Sequence, residues 1–244
     1  MTLPTPEHEF AVRTVFALPL GPWRVPVSNV VLAETTGALA GLGLLVWLAR
    51  GAGVRPGLRG VVIEAWVEFV DRAIAGALVP EAAWARPWVF ALFCFLLFGN
   101  AMGLVPLGVA PHAQIALTGG FAALVFAVVI AVRVRNFGWR FGLAFLPRGV
   151  PWWLAPLVVP IELISFLARP VTLAVRLFAN MTAGHMALAV LAGLGLGAPV
   201  WLAWMPFGFS IAQMALESVV AVLQAYIFCI LACVYLNDAY RERH

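Results

Sequence analysis

The chain has 244 residues, of which 64% are hydrophobic and 11% charged, and its mean hydropathy is +0.99. A soluble domain of this size needs more polar cover, so the composition defines an integral membrane protein. The formal net charge is +4, with Arg as the basic residue throughout and no Lys, and this small, scattered excess argues against a nucleic-acid-binding face.

Residues 1–29 are mixed polar and proline-bearing, and are expected to form a non-cytoplasmic N-terminal segment. They lack a charged stretch followed by an apolar run, and they are not an Arg-rich amphipathic leader, so no cleaved signal is expected. Residues 30–49 form the first sustained apolar run, long enough at about 1.5 Å per residue to cross a hydrocarbon core of roughly 30 Å. Glu34 near its start is expected at the interface. Arg50, Arg55 and Arg59 follow, and such a cluster faces the cytoplasm by the positive-inside rule. Residues 61–78 place Glu64, Glu68, Asp71 and Arg72 at helical spacing against an apolar face, which predicts an amphipathic helix lying on the membrane surface.

A transmembrane hairpin is expected over residues 88–132, with spans at 88–104 and 115–132 joined through a proline-bearing turn at 106–111. Arg133, Arg135, Arg140 and Arg148 then mark a second loop on the same side as the first cluster. Residues 152–236 form two apolar stretches, each longer than the roughly 20 residues an upright helix needs, joined by a turn at 193–199. Both are expected to be strongly tilted or curved, with residues 237–244 as a cytoplasmic tail. The fold class is therefore an all-α integral membrane protein in a single membrane domain, with five embedded helices and one surface helix. Cys94, Cys229 and Cys233 all sit in apolar segments without His or carboxylate companions, which makes them core fillers rather than a metal site.

The fourth and fifth embedded helices carry polar residues that need a reason. Glu162, Arg169 and Arg176 recur every seven positions and Asn180 follows four later, so all lie along one helical stripe. Arginine at bilayer depth costs roughly 2.5 to 3.5 kcal/mol on insertion scales, and it cannot shed its proton to escape that cost. Glu162 is about 21 Å from Arg176 along the helix, too far for direct pairing. His185 lies nine residues past Arg176, half a turn out of phase, and so looks into a different environment. Glu217 and Gln224, seven apart on the last helix, form a matching stripe with Ser210 and Gln213 before them. Two polar stripes on neighbouring antiparallel helices point to paired aqueous clefts, although a lone His185 or Glu217 can also serve as a bond between helices. Asn100 reads equally as a helix-end cap or as part of a polar vestibule.

From RPVTLAVRLFANMTAGH onwards the sequence resembles subunit a of the F-type ATP synthases, and the likeness extends to RPGLRGVVIEAWVEFV, FGNAMGLVP, PIELISFLARP and LQAYIFCILACVYLNDA. The resemblance implies that Arg176 is the essential arginine facing a rotating ring of c subunits. It implies an inlet half-channel lined by Asn180, His185, Glu217 and Gln224, with the His/Glu pair in the order found in mitochondrial and alphaproteobacterial members. The outlet half-channel is expected at Glu162 and Ser165, and Asn100 and His112 are candidates for a vestibule. The segment VAPHAQIALTGG, which holds His112, departs from the family pattern, and the first thirty residues match only loosely.

The implied partners are the c ring, b-type peripheral-stalk subunits, the rest of the synthase complex and lipid, with no nucleic acid. No cofactor is expected beyond the transported proton. No GxxxxGK[ST] loop occurs, so nucleotide chemistry is expected on another subunit. A composition full of Ala, Gly, Val and Arg, with no transit peptide, favours a bacterial plasma membrane over a mitochondrial one. Two other classes compete: a secondary transporter built from inverted repeats, though no repeat is evident, and an assembly scaffold in which the polar residues join helices.

Overall fold

The structure, a computed structural model, describes residues 14–20, 23–51, 57–104, 114–138, 152–199 and 201–241. Two short strands, β1 (Thr14–Leu20) and β2 (Trp23–Ser28), pair antiparallel with Leu20 opposite Trp23 and Thr14 opposite Ser28. Pro19 and Pro26 are tolerated because each strand of a two-stranded ribbon has an outer edge that needs no N–H donor. This ribbon precedes the membrane body and is a feature of the N-terminal segment that its mixed composition did not reveal.

Helix α1 (Asn29–Ala49) starts one residue before the expected span, where the Ser28 hydroxyl accepts the Val31 N–H at 3.3 Å. Its buried stripe is Val30, Glu34, Gly37 and Gly41. That stripe seats on α3 (Arg86–Gly103). A Cβ on Gly41 would run into the Phe98 ring, and one on Gly37 would stand 2.6 Å from Met102 Cγ, so the close seam requires both glycines. Glu34 lies in the same stripe with 5% of its surface exposed: the helix phase that buries the glycines buries the carboxylate too.

Helix α2 (Leu58–Ala73) is the amphipathic element, with Gly60, Ile63 and Val70 buried and Glu64, Glu68 and Arg72 exposed. It starts three residues before the expected 61 and stops five short of 78. Two 3-10 turns, Ala75–Ala77 and Pro80–Ala85, replace its predicted end. The reason lies on α6 (Trp204–Arg241), where Asn237 donates from Nδ2 to the Ala77 carbonyl at 2.6 Å and accepts the Val79 N–H at 2.9 Å. Those two bonds satisfy backbone groups that would otherwise have to continue the helix.

Helix α4 (Ile115–Phe137) continues five residues past the expected end and stops at Gly138, whose φ of +53° few other residues adopt, with the Gly138 N–H on the Val134 carbonyl. Arg133 and Arg135 are therefore helical rather than loop residues, and Arg133 is only 4% exposed. Arg140, Arg148, Arg55, His112 and the 106–111 turn lie outside the described residues.

Helices α5 (Ala155–Gly197) and α6 have 43 and 38 residues, or about 65 and 57 Å at 1.5 Å per residue. Either is roughly twice the hydrocarbon thickness, so both must tilt or curve. Pro160 and Pro170 inside α5 remove ladder bonds and permit such bending. Residues 237–241, expected in a free tail, belong to α6. Five helices are long and apolar enough to span a bilayer. α3, α4 and α5 all pack against α6, around a core that includes Phe93, Leu96, Phe228, Cys229, Cys233 and Leu236. The three cysteines are free and buried, and among the described residues no cluster of His, Cys, Asp or Glu is large enough to hold a metal ion.

Candidate functional site

Two contacts set the antiparallel register of α5 on α6. His185 Nε2 stands 3.6 Å from Glu217 Oε1, and Arg169 Nη1 donates to Asp238 Oδ2 at 2.8 Å. Interpolating between them with the helical rise brings Asn180 about level with Gln224. The inlet candidates thus gather along one stretch of the seam.

Within it, Glu217 is 5% and Gln224 6% exposed. Both Glu217 carboxylate oxygens, His185 Nε2, Gln224 Nε2 and Thr182 Oγ1 are buried without a hydrogen-bond partner among the described residues. At 3.6 Å the imidazole and carboxylate are close enough for charge attraction yet beyond a direct hydrogen bond. The approach depends on Gly184: a Cβ there would stand 2.7 Å from Glu217 Oε1 and 2.9 Å from Cδ. Gly184 and Thr182 were not singled out from sequence. The small residue beside His185 in TAGH was the available signal, but its meaning depends on which side chain of α6 arrives opposite.

Arg176 is exposed on α5, and among the described residues it has no ion-pair partner. Beside it on the helix surface, Thr172, Val175 and Ala179 are exposed as well and Asn180 is half-buried. Arg169, by contrast, is tied to α6, paired with Asp238 and lying 5.3 Å from the centroid of the Tyr235 ring. Two arginines at heptad spacing thus have opposite circumstances, one neutralised within the chain and one presented at its surface. Arg176 lies seven residues from Arg169 and nine from His185, about 10 and 13 Å along the axis.

Towards the start of α5, Glu162 is half-buried and Ser165 exposed. One turn beyond Glu162, Phe166 packs on Phe126 of α4 at 4.8 Å between ring centroids, and the Arg133 guanidinium stands 5.0 Å from the Phe166 ring. A buried cation therefore lies near the outlet candidates. Asn100 is fully buried and donates from Nδ2 to the Ala221 carbonyl at 2.9 Å. It joins α3 to α6 one turn from Gln224, a bond between helices rather than a helix-end cap. Ser210 turns back on its own helix, donating to the Pro206 carbonyl at 2.9 Å.

Helices long and apolar enough to span a bilayer that carry an imidazole, a carboxylate and a guanidinium without an ion-pair partner among the described residues mark the class of ion-translocating membrane proteins. Comparison with known proteins makes this specific. The family model described as ATP synthase A chain matches residues 31–237. The chain is 47% identical over 196 residues to the ATP synthase subunit a of Gluconobacter oxydans, covering 78% of this chain and 79% of that one. The Acidiphilium cryptum subunit a is 45% identical over 203 residues, 80% of this chain and 81% of its own. That of Rhizobium johnstonii is 38% identical over 240 residues, 96% of each. The chain belongs to the ATP synthase subunit a family. It is accordingly the proton-channel subunit of an ATP synthase complex, a multi-pass protein of the bacterial plasma membrane.

Proposed function

We propose that the chain carries protons through two half-channels that open to opposite membrane faces and do not meet, with Arg176 between them facing a ring of c subunits. The observation that carries this reading is Arg176, exposed on a helix long and apolar enough to span the membrane and without an ion-pair partner among the described residues. A guanidinium so placed needs an anion supplied by a partner. A carboxylate on a passing c subunit meets that need.

Protons enter through the inlet seam of Asn180, His185, Glu217 and Gln224. Buried polar atoms lacking partners among the described residues, such as both Glu217 oxygens, suit groups that exchange protons with water or with each other. An imidazole can take up a proton on one nitrogen and release one from the other, so an imidazole beside a carboxylate makes a relay for protons. The ring carboxylate is neutralised there, enters lipid as the ring turns, and reaches the outlet cleft at Glu162 and Ser165, where water allows it to ionise. Arg176 favours the ionised carboxylate as it passes and repels a proton attempting the direct path. Each proton crossing 100 mV carries about 2.3 kcal/mol, which a leak would dissipate. The coupling ion is the proton, and the b-type stalk subunits hold this chain against rotation.

The test is Arg176→Ala in inverted vesicles, with retention of the c ring on the purified complex as the assembly check. The reading expects an assembled complex, no ATP-driven acidification and increased passive proton permeability. Near-normal coupled pumping would overturn it.

A further inference from the structure

Where the 3-10 turn Pro80–Ala85 meets the ends of α4 and α6, the structure holds a cavity of about 690 Å³. It lies far along α6 from the proton seam and shares no residue with it. Its walls include the aromatic side chains of Trp84, Trp88 and Tyr240, a carboxylate from Glu81 and a guanidinium from Arg135. The Trp84 indole donates to the Tyr240 hydroxyl at 2.9 Å, and Asn136 Nδ2 donates to the Ala239 carbonyl at 3.2 Å, so both sides of the cavity are fastened to the end of α6.

Glu81 and Arg135 line the same cavity, are both exposed, and form no ion pair with each other or with any other described residue. One negative and one positive pole are thus held apart in a cavity with no net formal charge. The volume falls within the roughly 300 to 1,000 Å³ of ordinary ligand sites. The depth is also defined: Arg135 closes the last turn of α4, on the Arg-rich side, and Trp and Tyr concentrate where hydrocarbon gives way to headgroups. Below it, Leu124, Val128, Ala131 and Arg135 follow one another at helical spacing along one face of α4, with Leu124 50% exposed. That apolar track runs about 16 Å into the bilayer from the guanidinium.

We propose that this cavity binds the headgroup of a zwitterionic glycerophospholipid, an ethanolamine or choline type, from the cytoplasmic leaflet. The phosphate sits on Arg135, which presents several donors to it. The ammonium sits against Glu81 and the aromatic faces, where cation–π attraction adds to the ion contact. The acyl chains follow the α4 track. An anionic lipid such as phosphatidylglycerol satisfies Arg135 but leaves Glu81 facing a second negative group, so the cavity discriminates by the ammonium.

The test is native mass spectrometry of the full chain, and of the assembled complex, in mild detergent with added dioleoyl phosphatidylethanolamine, phosphatidylcholine or phosphatidylglycerol. The zwitterionic lipids are expected to bind about tenfold more tightly than phosphatidylglycerol. Glu81→Gln is expected to abolish that preference while leaving phosphatidylglycerol binding intact, and Arg135→Ala to weaken all three. Glu64→Gln, outside the cavity, is expected to change none, with helicity by circular dichroism as the folding check. Equal binding of phosphatidylglycerol, an unchanged preference in Glu81→Gln, or loss of lipid in the assembled complex because another subunit fills the cavity would each overturn the proposal.

Discussion

Gly184→Ala is the smallest change that tests how the inlet pair is held. The added Cβ would stand 2.7 Å from Glu217 Oε1, 2.9 Å from Cδ and 3.4 Å from Cγ. Carbon contacts are comfortable near 3.5 Å and beyond, so the carboxylate must retreat by about 0.5 Å or more, or the helices must part. The clashing atoms are the far end of a flexible side chain, so the carboxylate turns aside within a seam where it is 5% exposed. The cost in stability is then at the low end of the roughly 1 to 3 kcal/mol typical of overpacking, and it falls on one side chain of the relay. Displacing it lengthens the 3.6 Å approach to His185, and a barrier raised by about 1.4 kcal/mol slows transfer roughly tenfold. The assay is ATP-driven acidification of inverted vesicles, normalised to assembled complex and to ATP hydrolysis. Gly195→Ala is the control, because a Cβ there would meet only Pro206 Cβ at an ordinary 3.7 Å. The expected result is a roughly tenfold slower acidification for Gly184→Ala with assembly retained, and no change for Gly195→Ala. Equal rates for the two variants would refute the reasoning.

Glu217→Gln keeps the shape of the side chain and removes its charge, so proton flux is expected to fall much further than the amount of assembled complex; parallel losses on immunoblots and in acidification would mean a structural role. Exchanging His185 and Glu217 for one another is expected to retain partial pumping, and an assembled but inactive double variant would speak against the relay. Asn237→Ala removes two bonds to the 3-10 linker and is expected to destabilise the detergent-solubilised chain by about 2 kcal/mol. Asp238→Asn weakens a pair whose side chains are 30% and 38% exposed, for an expected loss of about 1 kcal/mol or less. A thermal-denaturation series that ranked these two the other way would contradict the hydrogen-bond assignment.

What the sequence revealed follows from what each signal measures. Hydropathy over twenty-residue windows records desolvation of a whole segment, so α1, α3, α5 and α6 were legible to within a few residues of their starts. Helix ends were less legible where the stopping group lies elsewhere in the chain, as Asn237 does for α2. The heptad of Glu162, Arg169 and Arg176 marked one polar stripe, and Arg169, preceding Pro170 and nearer Glu162, read as the structural or headgroup-facing arginine of the two. The carboxylate of Asp238, sixty-nine residues on, pairs with Arg169 and sets the two apart. YLNDA read as a family ending, and in the structure its five residues act separately. Tyr235 faces Arg169, Leu236 is core, Asn237 holds the linker, Asp238 pairs with Arg169, and Ala239 accepts from Asn136. The burial of Glu34 and Arg133 was missed because a charged residue near the end of an apolar run reads as interfacial unless the opposing helix is known.

The central claim is that two aqueous clefts flank Arg176 and open to opposite faces. Single cysteines at Ser165 and Thr182, introduced with Cys94, Cys229 and Cys233 replaced by Ala, can be probed with a membrane-impermeant thiol reagent in right-side-out and inverted vesicles. The account expects Ser165→Cys to react only from the Arg-rich cytoplasmic face and Thr182→Cys only from the opposite face. Labelling of both positions from the same face would contradict it.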